Sequence, residues 1–463
     1  MPEINHVVAF ELGSSKIAGI VGSKAPDGSI KILAYAHKNS NEFIRKGTIS
    51  NVDKTVAAIK DIKQQLEDTI QMRIDQAFVG ICGLSIRSER NTVMRQFGME
   101  EKHINDEIIN EIINENSTHF HGDEEILNVV IQEYQTATTT TLDPIGALTR
   151  SINGNFLNII ARSTLRIYIQ RCFEQAGMQI ECIVAPEATA SIALNAVEQR
   201  SGCALVDIGA ETTTISIYKN SILRHLRLLP IGSASITRDL CKLPSIAPEE
   251  EEAESVKQKY GVAIYTPRPA TLGGESMEEE YAALSNGRSV SLEQICQYTA
   301  ARAEEIIANA WQQVKNSGYE SELMGGIILT GGGSNLKRID ELMQLYSKKT
   351  CHIASGNRSN LKITGYPINQ KEGIHLTLIG LLNLGDANCC SPLSKDNENN
   401  DPTETPVDAK PATETIETGK FRAGTTIKPT EEKKEEPEEP KPKKPSWKSR
   451  IMSMLSNIVE SED

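Results

Sequence analysis

Up to about residue 385 the chain alternates short β-branched runs with segments whose apolar residues recur every three or four positions. This is how strands and amphipathic helices take turns in an α/β architecture. Val56, Ile59, Ile62, Leu66 and Ile70 fall on one stripe and predict a helix over 53–72. Leu165, Ile169, Cys172, Phe173 and Ala176 predict a second, stopped at Gly177. Asn105 to Asn116 reads as a third. Ser291 and Gln294 have capping-box spacing for a long helix carrying Ile295, Thr299, Ile306, Ala310 and Val314. After Cys389-Cys390 the periodicity stops. Nine of the chain's 19 prolines lie between 392 and 445, among Thr, Glu, Lys and Asn, which predicts a disordered linker over 389–445. From Ser446 an apolar period resumes: Trp447, Ile451, Met454, Leu455, Ile458 and Val459 share one helix face over 446–463. Lys448 and Arg450 border that face, where long stems reach back to water, so the segment suits a membrane interface. A helix that docks in a partner's groove fits the same stripe.

Composition narrows the function classes. A length of 463 residues with 39% hydrophobic content supports two or three packed domains with polar chain to spare. The nine cysteines include no C-x-x-C pair and sit mostly in apolar stretches, so they read as reduced core thiols without disulfides or metal. A net charge of -13 argues against a broad nucleic-acid surface. The start lacks a basic, then apolar, leader, and no apolar run approaches the roughly 18 to 20 residues that span a bilayer. A cytoplasmic location is expected.

Three glycine turns carry the chemistry. The first joins two apolar runs through Glu11, Gly13, Ser14, Ser15 and Lys16; backbone N–H groups and hydroxyls there can approach phosphate oxygens, with Lys16 as a point charge. Alone, such a turn is also an ordinary hairpin. The second repeats it with Asp207, Gly209, Ala210, Glu211, Thr212 and Thr213, and the two acids lie 207 − 11 = 196 positions apart. The repetition suggests two like subdomains closing on one ligand, with Glu11 and Asp207 holding a divalent ion largely through water, as Mg²⁺ is commonly held. The third turn, Gly331, Gly332, Gly333 and Ser334, follows a buried strand and would let a flat base or sugar lie against the backbone. It also reads as a plain helix-entry loop.

In this order the three turns resemble the actin-like ATPase family, which implies a two-domain actin-like, ribonuclease H-like fold and ATP with Mg²⁺ as ligands. The resemblance assigns the first two turns to the phosphates, the third to the adenosine, and Glu254 with Lys257, at i, i+3, to the ribose and base. Where fast hydrolases of the fold carry a water-orienting Gln or Glu, this chain has Pro186, with Glu187 one place along. Glu187 and Asp207 are therefore the candidate catalytic groups of an enzyme that is at most slow. The block with Ile131-Gln132-Glu133-Tyr134 and Asp143-Pro144-Ile145-Gly146 is similar to the inserted subdomain of the FtsA family of bacterial cell-division proteins.

That resemblance implies a divisome component that forms protofilaments, binds the C-terminal peptide of the tubulin-like FtsZ, meets other divisome proteins and sits peripherally on the cytoplasmic face of the inner membrane at the division site. It divides the chain into subdomain IA (1–83 and 161–199), the inserted IC (84–160, polymer contact), IIA (200–225 and 291–388) and IIB (226–290, FtsZ peptide and part of the nucleotide site). Rival readings within the fold are a pilus-assembly protein, expected to lack the tail helix, and a sugar kinase, which needs a catalytic Asp over a hydroxyl. A chaperone would need a large C-terminal substrate domain.

Overall fold

The computed structural model describes residues 5–118, 122–246, 249–267, 280–285, 287–355, 362–365 and 373–392. The predicted linker beyond 392 and the tail helix over 446–463 lie outside them. The described part has the actin-like fold. Its first lobe is a six-stranded sheet in the order Gln179–Val184, Gln76–Ile81, Asn5–Leu12, Lys16–Lys24, Ile30–Asn39, Ile363–Gly365. Asn5–Leu12, Lys16–Lys24 and Ile30–Asn39 form an antiparallel meander, while Gln76–Ile81 and Gln179–Val184 are parallel to its first strand.

The helix predicted over 53–72 runs Val52–Ile70. Asn51 caps it by accepting the Lys54 N–H at 3.0 Å. Its apolar stripe packs on one face of the sheet: Ile62 and Leu66 lie against Gly19, where any side chain would collide with them. Each of those fully buried side chains contributes about 1.5 to 3 kcal/mol. On the opposite face lies Leu376–Leu384, whose sequence Leu-Thr-Leu-Ile-Gly-Leu-Leu-Asn-Leu is apolar nearly all round, as a helix enclosed on every side requires. It crosses the linking helix Ala185–Ala193 so closely that a Cβ on Gly380 would stand 1.9 Å from the Ala188 carbonyl oxygen. The Thr189 and Thr377 hydroxyls meet at 2.9 Å inside that crossing.

The second lobe repeats the first. Cys203–Ile208, Thr213–Lys219 and Ile222–Leu229 form the meander; Ile327–Thr330 and Cys351–Ile353 add in parallel beside its first strand. The long helix Leu292–Asn316 buries Ile295, Ile306, Ala310 and Val314 against this sheet. Its predicted capping box is absent. Ser291 ends a strand paired with Tyr281–Ala283, and the Leu292 N–H, a first-turn donor, is already taken by the Glu280 carbonyl.

Three divisions drawn from the sequence shift. The boundary at 225/226 cuts the strand Ile222–Leu229, which pairs along its length with Thr213–Lys219. Two segments assigned to the second lobe belong to the first: Ile363–Gly365 extends its sheet, and Leu376, Leu378, Ile379, Leu381 and Leu382 of the helix Leu376–Leu384 join its core. The linker does not begin at 389, because Cys389 and Cys390 are buried and Cys390–Pro392 pairs with Met72–Ile74.

The inserted block has the helix Asp106–Ser117 and the strands Arg87–Gln96, Glu124–Thr136 and Ser151–Arg162. Its sheet continues into the second lobe. Arg87 pairs with Arg227, Ser88 Oγ accepts the Leu226 N–H at 2.8 Å, and Gln132 donates to the Leu223 carbonyl at 3.0 Å. One nine-stranded sheet results.

Candidate functional site

The two phosphate-type turns are built alike. In the first, the Gly13 N–H donates to the Lys16 carbonyl at 3.0 Å; in the second, the Gly209 N–H donates to the Thr212 carbonyl at 2.8 Å. A Cβ on Gly13 would stand 2.9 Å from the Lys16 carbonyl oxygen, and one on Gly209 would stand 3.0 Å from that of Thr212, so each turn is too tight for a side chain at its glycine. The third turn abuts the second. Gly331, at φ +82°, leaves only 2.2 Å between its would-be Cβ and Asp207 Oδ1, and Gly333 lies against Ile208. Gly332 differs, because nothing stands within 4 Å of its would-be Cβ and the position opens into space. Ser334 Oγ is spent inside the turn on the Gly331 carbonyl at 2.7 Å.

Glu11 and Asp207 lie near the ends of the corresponding first strands of the two lobes, and the Asp207 charge reaches Glu11. Burial pushes the Glu11 carboxyl up to about 7; the Lys16 charge opposes that rise and the Asp207 charge adds to it. Burial pushes Asp207 up to about 6. Two recessed carboxylates, the first raised further by the charge of the second, offer the oxygen donors that a divalent cation takes. Burial lowers the Lys16 ammonium pKa while Glu11 raises it; its Nζ donates to the Tyr35 hydroxyl at 3.4 Å. The Tyr35 ring in turn meets His375 edge-on at 5.1 Å between centroids, at the start of the Leu376–Leu384 helix. A pair of tight glycine turns, a cation and two recessed carboxylates suit a nucleoside polyphosphate with its ion.

The remaining expected residues are placed as follows. Ser15 is exposed at the turn, whereas Ser14 Oγ accepts the Gly47 N–H at 2.9 Å. Thr213 Oγ1 donates to the Ile231 carbonyl at 2.8 Å. Glu254 and Lys257, on the helix Glu250–Tyr260, pair at 2.6 Å, and both bond Thr237, on the helix Ala234–Leu240 that starts behind the second turn. Lys257 is buried. Glu187 turns toward the inserted block: both its oxygens accept from Asn128 Nδ2 at 2.9 Å, and burial holds its carboxyl up at about 7. Pro186 is buried in the first turn of the linking helix.

Sequence reasoning missed a fourth segment, Ser40–Gly47. Ser40 Oγ donates to the Gly13 carbonyl at 2.6 Å, and its N–H donates to the Ser15 carbonyl at 3.0 Å. Arg45, Lys46 and Arg238 converge on Glu211, which is 7% exposed. The one cue was Arg45-Lys46-Gly47, a basic pair before a glycine in a short interval between a strand and a helix.

Among the described residues no group of acids, histidines and cysteines has the closeness of a closed metal cage, and no helix is long and apolar enough to cross a membrane. All nine cysteines are free.

Residues 204–370 match the sequence profile of the cell division protein FtsA family. The cell division protein FtsA of Porphyromonas gingivalis is 30% identical over 341 residues, 73% of this chain and 70% of that protein. The protein of the same name from Bacillus subtilis is 28% identical over 76% of this chain and 78% of its own length. Among solved structures, a PilM–PilN type IV pilus biogenesis complex superposes with a TM-score of 0.55 at 15% identity, over 81% of this chain and 97% of that one, a likeness of fold alone.

Proposed function

The chain belongs to the FtsA family of actin-like cell-division proteins, and from that premise we propose that it binds Mg-ATP, polymerises at the cytoplasmic membrane and anchors FtsZ there. The observation that supports the nucleotide reading best is the third turn's abutment on Asp207, whose charge also reaches Glu11 beside the first turn. The first-lobe turn contributes Glu11 and Lys16, and the third turn leaves open space beside Gly332. Glu11 and Asp207 would hold the metal ion through water, and the N–H groups around Ser14, Ser15, Ala210 and Thr212 would hold phosphate oxygens. When bound, Mg²⁺ supplies charge neutralisation at the phosphates. Hydrolysis would be slow: Pro186 occupies the water-orienting position, and Glu187 is engaged by Asn128.

The tail supports the anchoring reading. Its six apolar side chains would be only partly buried at an interface, and ordering so short a helix costs several kcal/mol. One tail therefore binds weakly, and tethered copies on a filament gain residence by effective concentration. FtsZ's C-terminal peptide is assigned to the IIB region by family likeness. Sedimentation with anionic liposomes tests the anchor. Truncation before Ser446 should abolish co-sedimentation while calorimetry still detects Mg-ATP, and Leu455→Glu should act nearly as strongly. If the truncated protein sediments with liposomes like the full chain, the tail is not the anchor.

A further inference from the structure

Glu211 connects the two lobes. It belongs to the second-lobe turn, yet its Oε2 accepts the Lys46 N–H at 2.7 Å, and Lys46 lies in the first lobe. Its Oε1 is shared by the Arg45 guanidinium at 3.2 Å and the Arg238 guanidinium at 3.3 Å, one from each lobe. The carboxylate is buried, whereas both arginines remain over half exposed, at 58% and 51%.

The segment that presents Arg45 is itself fixed. Lys46 and Gly47 have φ of +49° and +73°, and a Cβ on Gly47 would stand 2.9 Å from the Gly83 Cα, so this tight turn is packed onto the first lobe. Gly47 and Ser40 bind the first phosphate-type turn; Arg45 and Lys46 bind the second. A single short stretch therefore spans both turns.

We infer that Ser40–Gly47 is a clasp across the mouth of the cleft, with Glu211 as its catch, and that release of a ligand held between the turns requires the clasp to open. This rests on the nucleotide reading above only for the identity of that ligand. The physical argument is asymmetry. A buried carboxylate depends on its charge-assisted bonds, because water cannot replace them while the lobes are closed. Arg45, half in solvent, loses little when the lobes part. The contact therefore strengthens closure without trapping the protein shut. Glu211 and Arg45 act here as positioning residues.

The test uses the full-length chain with Glu211→Gln, Arg45→Ala and the double variant. Hydrogen exchange over 43–49, measured without nucleotide, reads the clasp itself. Stopped-flow release of a fluorescent ATP analogue with Mg²⁺ reads its consequence. Exchange over 43–49 should rise in both single variants. Release should quicken about tenfold for Glu211→Gln, which weakens the charge-assisted hold, and less for Arg45→Ala, which leaves the Lys46 N–H bond across the lobes in place. The double variant should be no faster than Glu211→Gln alone, because the two groups serve one contact. Unchanged exchange in Glu211→Gln overturns the clasp. Raised exchange with unchanged release, or fully additive effects in the double variant, overturns its control of release. If the wild-type chain binds no analogue, the ATP reading fails and the exchange result alone decides on the clasp.

Discussion

Replacing Glu11 with glutamine should alter how stability responds to pH, by an amount that follows from its setting. Folding raises the Glu11 carboxyl from 4.5 to about 7, chiefly by burial, with Asp207 adding to the rise against Lys16. An acid with a raised folded-state pKa holds its proton more tightly when folded. Its contribution is therefore complete below the unfolded value and is lost as pH climbs through the folded one. The interval, 7 − 4.5, is about 2.5 pH units, so at about 1.4 kcal/mol per unit the loss is at most about 3.5 kcal/mol between pH 4.5 and 8. Asp207, raised from 3.8 to about 6, adds in the same direction over a lower window. In a body this large the loss appears as a few degrees of Tm. Thermal unfolding in EDTA from pH 5 to 8 should show the wild-type Tm falling toward pH 8, with Glu11→Gln flattening the part between pH 6 and 8. Mg²⁺ should restore Tm at pH 8 and do little at pH 5.5, because only the ionised pair attracts it. A Glu11→Gln profile with the wild-type slope from pH 6 to 8 would refute the reasoning.

Three further outcomes follow from the geometry. Gly332→Val should leave Tm unchanged while weakening Mg-ATP binding at least tenfold by calorimetry; Gly333→Val should instead lower Tm, because its Cβ would stand 2.4 Å from the Ile208 side chain. Asn128→Ala strips the half-buried Glu187 carboxylate of both its bonds and should cost about 1 to 3 kcal/mol in denaturant unfolding at pH 8. That cost should shrink at pH 5.5, below the Glu187 value of about 7, where the carboxyl is already protonated. Gly380→Val should destabilise strongly in the same assay, since the crossing helices leave no room at the Ala188 carbonyl.

The legible parts of the chain were those governed by local pattern. The Val52–Ile70 stripe and both glycine turns announce themselves within a few residues, and Gly177 ends its helix at φ +71° as a stop signal should. The illegible parts were choices of partner. Leu376–Leu384 is apolar enough to promise full enclosure, but nothing in its composition says which lobe encloses it. Glu211 read as one more residue of a phosphate turn, because the two arginines that bind it lie 166 and 27 positions away in the chain. Ser291 had the right spacing for a cap and lost that role to a strand pairing that periodicity does not reveal. Glu187 stood one place from the expected catalytic position, and Asn128, 59 residues earlier, is what holds it.

The inserted block is covalently part of the first lobe at both ends, yet its strands are stitched into the second lobe's sheet at Arg87, Ser88 and Gln132. Any swing of one lobe against the other must shear that seam, so whatever grips the block grips the hinge. Thermodynamic reciprocity then runs in both directions. If a ligand in the cleft tightens the hold of a neighbour on the block by some factor, that neighbour must tighten the ligand by the same factor. Assembly and cleft occupancy would thus be two faces of one equilibrium, with neither acting as the switch for the other.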